Sequence, residues 1–386
     1  MKQKIFLVGI LLISIIHIFT LRSYAADNDE ELMNSQKETF GINSFIENSK
    51  KYSGEFFDGI DINSMLNMAI NGKIDNNTLY KKIVGLLGRE VRNGIKSLVS
   101  ILVIIVIHSI LKSISENLKN DGVSKMIYYV QYIAIVTVIM TNFSDVISMV
   151  KETAVNLVGF MNSLIPILIS LMMYTGSITT SSVLEPIILF MINFIGNMIQ
   201  SFLIPAVLII ATLSIVSKIG DKLQIDRIAK TFNSGIVWLL GIILTIFVGV
   251  ISLEGTLSGS IDGITAKTAK AIVSSSIPIV GKILGDAVDT FFGCCLILKN
   301  AIGVIGVIII IGICIMPILK IAILLICYKM LAAVSEPIAD AKIIKLLEQI
   351  GDIFKVLLAI LCSISVMVIV GTTLVIKISN SGMMYR

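Results

Sequence analysis

Apolar residues run along this chain in blocks of roughly twenty, parted by short polar stretches, and that rhythm predicts a bundle of membrane-crossing helices. Blocks of spanning or near-spanning length lie at 95–111, 126–147, 154–174, 183–203, 205–217, 233–252, 301–316, 317–334 and 354–376. Counting the charge-bearing stretch that begins at Ile261 as one more gives ten expected crossings. Before the first block, Leu79, Ile83, Leu86, Leu87, Val91, Ile95 and Leu98 recur at helical spacing, with Lys81, Lys82, Arg89 and Arg92 filling the other face. Two readings fit that amphipathic helix: a basic helix lying on a membrane surface, or one packed on a neighbouring domain.

The chain opens on Lys2 and Lys4, an apolar run from Ile5, and Ser23-Tyr-Ala-Ala26, which reads as a secretory signal cleaved after Ala25. Cleavage leaves the mature N-terminus outside the cytoplasm. The three basic loops at 112–125, 218–230 and 337–355 then fall in the cytoplasm, as the positive-inside rule asks, most clearly for the first two. The expected layout is a signal peptide over 1–25 and an extracytoplasmic region with the amphipathic helix over 26–94. Two crossings follow over 95–150, and membrane repeats over 151–258 and 259–378. The repeats rest on Asn162-Ser-Leu-Ile-Pro166 against Ser274-Ser-Ser-Ile-Pro278, and on Pro205 against Pro317 at the same offset. The fold class expected is all-α, polytopic and integral to a membrane.

Composition agrees: of 386 residues 55% are apolar and 15% charged, and the mean hydropathy is +0.94, a balance foreign to water-soluble domains. The net charge of +5 is modest, and its basic residues sit at the ends of apolar blocks, so the pattern favours membrane lipid and gives no sign of nucleic-acid binding. All five cysteines lie in apolar runs and imply no disulfide framework. Only His17 and His108 are histidines, which argues against a His-ligated metal or a Ser-His-Asp triad. Around Gly281-Lys282 the phosphate-loop pattern fails, with Ser276 where a glycine belongs and Ile283 following the lysine. The expectation is a protein that is not an enzyme and carries no cofactor.

Between 261 and 306 the apolar sequence is interrupted by Asp262, Lys267, Lys270, Lys282, Asp286, Asp289 and Lys299. A charge in a bilayer-spanning segment costs a few kcal/mol, so it faces water, a partner charge or a packed interior. Lys282, Asp286 and Asp289 fall within about 60° on one helical face. They line a polar conduit, or else pin helices together as an ion pair. Lys299 and Asn300 are expected at the turn into the next helix. Lys320, soon after Pro317, suits a proline-broken binding site as well as a side chain snorkelling to the interface.

Ser260-Ile-Asp-Gly-Ile-Thr-Ala-Lys-Thr-Ala-Lys270, Ile277-Pro-Ile-Val-Gly-Lys-Ile-Leu-Gly-Asp-Ala-Val-Asp289 and Leu298-Lys-Asn-Ala-Ile-Gly-Val-Ile-Gly306 resemble the stage III sporulation protein AE family. The likeness extends to the Ala332-Ala-Val-Ser-Glu-Pro337 turn and covers most of the chain. It implies a multi-pass protein of the mother-cell membrane surrounding the forespore of an endospore-forming bacterium. The implied partners are the other stage III A proteins, including a cytoplasmic ATPase and ring-forming proteins, and the forespore stage II Q protein. Together these form a channel-like or secretion-like complex, in which several copies of this chain are also compatible with the pattern. Two alternatives stay open: a non-conducting scaffold of the same complex, and an autonomous secondary transporter with a site near Pro205, Pro317 and Lys320.

Overall fold

The computed structural model describes residues 39–52, 54–57, 59–72, 76–117, 121–218, 226–276 and 280–381, with side chains throughout except at 54–55, 76–79, 97, 115–117, 121, 124, 226, 254–289 and 378–381. The expected signal peptide and Pro278 lie outside the described residues. All regular structure among the described residues is helical: α1 (Ile42–Tyr52), a 3-10 turn (Gly54–Phe57), α2 (Ile62–Ile70), α3 (Asn76–Asn117), α4 (Asp121–Tyr174), α5 (Ile178–Met198), a π turn (Ile199–Leu203), α6 (Ile204–Val216), α7 (Asp226–Ser276), α8 (Val280–Ser335) and α9 (Ala341–Ser381).

Among the described residues, six helical stretches are long and apolar enough to cross a membrane: Tyr80–Ile114, Lys125–Tyr174, Ile178–Val216, Arg227–Leu253, Thr290–Ser335 and Ala341–Lys377. They replace the ten crossings expected from hydropathy. The expected pairs 126–147 with 154–174, 183–203 with 205–217, and 301–316 with 317–334 each form one continuous helical run. Charges such as Asp145, Lys151 and Glu152 interrupt the apolar pattern of α4 without breaking its backbone ladder. Prolines are absorbed as well. Pro166 and Pro317 lie inside α4 and α8, while Pro205 follows the π turn, in which the amide of Ile204 reaches back to the carbonyl of Ile199. The expected domain edges at 94, 150 and 258 fall inside α3, α4 and α7.

Side-chain contacts fix how the helices run past each other. His108 of α3 and Lys112 meet Asp340 in the α8–α9 turn, and Lys342 lies over the Tyr128 ring of α4. Tyr128 and Tyr132 donate to the carbonyls of Lys218 and Ile215 beyond and within α6. The described edges of the first two basic loops, at Lys112 and Lys218, therefore gather with the start of the third, at Asp340 and Lys342, at one end of the bundle. At the far end Tyr174 packs on Phe40 and Phe291, and Lys299 reaches the Ile376 carbonyl of α9. A 50-residue span such as that of α4 is about 75 Å long, against a hydrocarbon core of about 30 Å.

The core centres on α8 and α9, which pack antiparallel. Gly303 lets them close up, since a Cβ there would stand 2.4 Å from Cδ1 of Ile376. The exported-type segment does not stand apart as a separate region. Asp61 caps α2 by accepting from the amides of Asn63 and Ser64; Phe45 packs on Phe160; and a Cβ on Gly312 of α8 would lie 2.2 Å from Phe57. This N-terminal unit buries Ile42, Phe45, Ile46, Phe56, Phe57, Ile62, Met65 and Leu66 and turns Asn43, Glu47, Lys50 and Lys51 outward.

Candidate functional site

The amphipathic start of α3 is not a free surface helix, because it continues straight into the first span. Its packed line runs through Ile83, Leu86, Glu90, Gly94, Leu98, Ile101, Ile105 and His108, while Leu87, Val91 and Ile95 stay exposed. The hydrophobic count could not see this line, since it includes a glutamate and a glycine. Gly94 is where α3 presses on α8, with a Cβ there standing 2.7 Å from Ile323 and 3.1 Å from Cys327 Sγ.

Beside that crossing a cleft opens between α3, α4 and α8, lined by Glu90, Asn93, Asn142, Asp145, Lys320 and Ile323. Glu90 is only 8% exposed, and its carboxylate lies 3.7 Å from the Arg89 guanidinium. Asn142 donates to the Tyr328 hydroxyl at 3.0 Å, and Tyr328 packs on Phe354 of α9. The next residue of α8, Lys329, pairs with Asp352 at 3.0 Å and donates to the Glu348 carbonyl. Because Phe143 packs on Phe354, these groups fall within one band of the bundle, which on α8 runs from Lys320 to Lys329, about 14 Å of helix. Glu90, Asn93, Asn142, Asp145, Lys320, Lys329, Asp352 and Lys355 form a polar belt contributed by four helices.

Apolar zones flank the belt. Toward the basic end, 97–111 of α3 and 126–144 of α4 contain no Asp, Glu, Lys or Arg; toward the far end the same holds for 153–174, 300–319 and 356–376. The far zone, twenty residues or so in each helix, is about 30 Å deep, the thickness of a hydrocarbon core.

The predicted polar residues divide among several places. Lys320 lies half-buried at the cleft. Lys299 does not mark a turn: it sits within the unbroken α8, fully buried, with its ammonium donating to the Ile376 carbonyl at 3.4 Å. Asp262, Lys267 and Lys270 belong to the last turns of α7, and Lys282, Asp286 and Asp289 to the first turns of α8. The ladder is thus shared by two helices on either side of 277–279, and its side chains lie outside the described set. Sequence reasoning missed Glu90, Asp145, His108 and Asp340. The usable signal was the spacing of Gly94 and Glu90 on the inner line of α3.

Asp340 lies in the turn between spans. Burial pushes its carboxyl up, but hydrogen bonds and charge from Lys112, and then from His108, outweigh that and hold it below the usual carboxylate range. His108 donates through Nε2 to Asp340 at 3.1 Å, while its Nδ1 is buried without a partner. All five cysteines are free thiols, and no group of three or more His, Cys, Asp or Glu among the described residues could hold a metal.

A model of the stage III sporulation protein AE family matches residues 60–379, which includes the cleft, the belt and all six spans. The chain belongs to the stage III sporulation protein AE family. A relative, stage III sporulation protein AE of Bacillus subtilis (strain 168), is 31% identical over 306 residues, covering 79% of this chain and 77% of that protein. No solved structure matches the chain. The described residues of this stage III sporulation protein AE family member are thus helical, with six membrane-length helices and a polar belt of charged and amide side chains between apolar zones.

Proposed function

We propose that this protein is a multi-pass membrane subunit of the complex that joins mother cell and forespore during endospore formation, and that it contributes to the wall of that complex's conduit. The observation that carries the reading is the polar belt. Four helices place charged or amide side chains within one band between apolar zones, an arrangement that costs free energy in a sealed bilayer and is compensated where water or partner groups reach it. The protein has no nucleotide motif, so movement through such a conduit draws on a partner ATPase among the other stage III A proteins. The three basic turns at one end suit a cytoplasmic contact of that kind. The N-terminal unit at the other end suits the ring-forming proteins and the forespore stage II Q protein. The conduit also draws on the ladder residues Lys282, Asp286 and Asp289.

The test is replacement of the natural gene by variants carrying Glu90→Gln with Asp145→Asn, and Lys320→Gln. Heat-resistant spores and recovery of the complex are counted together. A conduit role predicts an assembled complex with at least a roughly tenfold loss of spores, since belt charges act on passage and not on packing. Normal spore yield from both variants overturns it. An assembled, spore-competent complex that passes no solute favours the scaffold. A second reading, an autonomous transporter, draws on Lys320 facing the cleft one turn beyond Pro317; substrate-coupled flux by the purified protein alone would support it.

A further inference from the structure

The basic end and the polar belt are separated by an apolar zone, and one helix crosses that zone with a charged face. The pairs Tyr128 with Lys342 and Phe143 with Phe354 bracket the interval on α4 and α9, while His108 with Asp340 and Gly94 with Ile323 bracket it on α3 and α8. The interval is about 20 Å deep.

Within it, α3 exposes Ile95, Val99, Val103, Val106 and Ile107, with Lys96 at the lower edge, and α4 exposes Val130, Ile133 and Met140 beside Thr137 and Thr141, whose hydroxyls donate to their own helix's carbonyls. From α8, Met330 and Val334 are exposed as well. These are lipid-type surfaces. On α9 the outward positions are instead Lys345, Glu348, Asp352 and Lys355, spaced three, four and three residues apart, with Lys345, Glu348 and Lys355 exposed and Asp352 half-buried. Such spacing makes one continuous stripe on a helix. Its inner positions, Ile343, Leu346, Leu347, Ile350, Ile353 and Phe354, are buried.

We infer that the stripe Lys345-Glu348-Asp352-Lys355 of α9, joined by Lys329 of α8, is the water-facing wall of a path that runs from the basic end down to the polar belt. The inference rests on the conduit reading and gives it a location. Lipid against this stripe would leave four formal charges in hydrocarbon at the height where three neighbouring helices present aliphatic side chains. A protein partner carrying opposite charge is the weaker occupant. The stripe balances two lysines against two carboxylates, and Asp352 already has its ion pair within the chain, with both partners about two-fifths exposed (41% for Lys329, 42% for Asp352). A near-neutral, self-paired face offers little field to a charged partner and is well suited to hydrated solutes of either sign.

The test uses the natural protein within its assembled complex in membranes. A membrane-impermeant amine-reactive ester is added from the basic-end side, and modification of Lys355 is compared with that of Lys299 by mass spectrometry. Lys355 lies near the bottom of the interval and Lys299 is fully buried. The expected result is modification of Lys355 at least about tenfold above Lys299, because an impermeant reagent reaches it only through water. Glu348→Cys and Asp352→Cys provide a second measurement, with Val103→Cys and Ile133→Cys as lipid-facing controls, read by an impermeant thiol reagent that attacks the hydrated thiolate. Equal, slow labelling of stripe and controls overturns the proposal, as does labelling of Lys355 that appears only after detergent extraction. Solute passage is followed in the same cells. Passage with an unlabelled stripe rejects this wall and leaves the conduit reading standing, whereas no passage with a labelled stripe does the reverse.

Discussion

Asp340 carries more structural weight than its place in a five-residue turn suggests. It draws Lys112 and His108 of α3 onto the hinge between α8 and α9. The carboxyl titrates below its ordinary value of 3.8, so the stability it adds is fully present above that value. It fades as pH falls through the lowered folded value. Asp340→Asn should lower stability at pH 7 by about 1 kcal/mol, a figure kept small because Lys112 is 41% exposed. Thermal unfolding in detergent at pH 7 and near pH 3 checks it, with the difference between variant and natural protein shrinking at the lower pH. Residue-scale reading of the sequence picks out a charge that is conspicuous against apolar neighbours, as with Lys299 and Lys320. It failed on their setting: a lysine beside an asparagine looks like a helix end, and only the packing of α9 over α8 shows Lys299 to be an interior residue. Glu90 was hidden for the opposite reason, because it stands among basic residues that a surface helix would also carry.

At the scale of elements, apolar blocks were located well and their connections were not. Hydropathy registers Asp145, Lys151 and Glu152 as a gap, but an i to i−4 backbone ladder tolerates charged side chains wherever they can reach water or a partner. Proline was equally misleading, since a π turn before Pro205 relieves its missing amide without ending the helix. The limits of α2 were readable from Asp61 and the apolar spacing after it, yet its docking on α8 depends on Gly312, whose importance only tertiary contact reveals. Gly312→Leu should wedge Phe56 and Phe57 off α8 at a cost of about 1–3 kcal/mol. Limited proteolysis between 39 and 72 measures this. The variant should be cut several-fold faster than the natural chain while the six long helices stay intact.

At the scale of the whole molecule, the alternation of basic turns with apolar spans survives the change from ten crossings to six. Each fused pair removes one apparent crossing, and two are lost between successive basic stretches: two fused pairs before Lys218, and one fused pair together with the ladder before the α8–α9 turn. The change is even each time, so Lys112, Lys218 and Asp340 stay at one end, as an alternation set by loop charge requires. The N-terminal unit runs along the far apolar zone, from Phe40 on Tyr174 at the far end to Tyr52 and Phe57 on Gly159 and Gly312, and α9 closes at that same far end beside Gly303. A reporter fused after α9 should therefore share its compartment with one placed in the N-terminal unit: alkaline phosphatase active at both positions, green fluorescent protein dark at both, and the pattern inverted in the α6–α7 loop. A mixed pattern would mean that one of the long helices turns back within the bilayer.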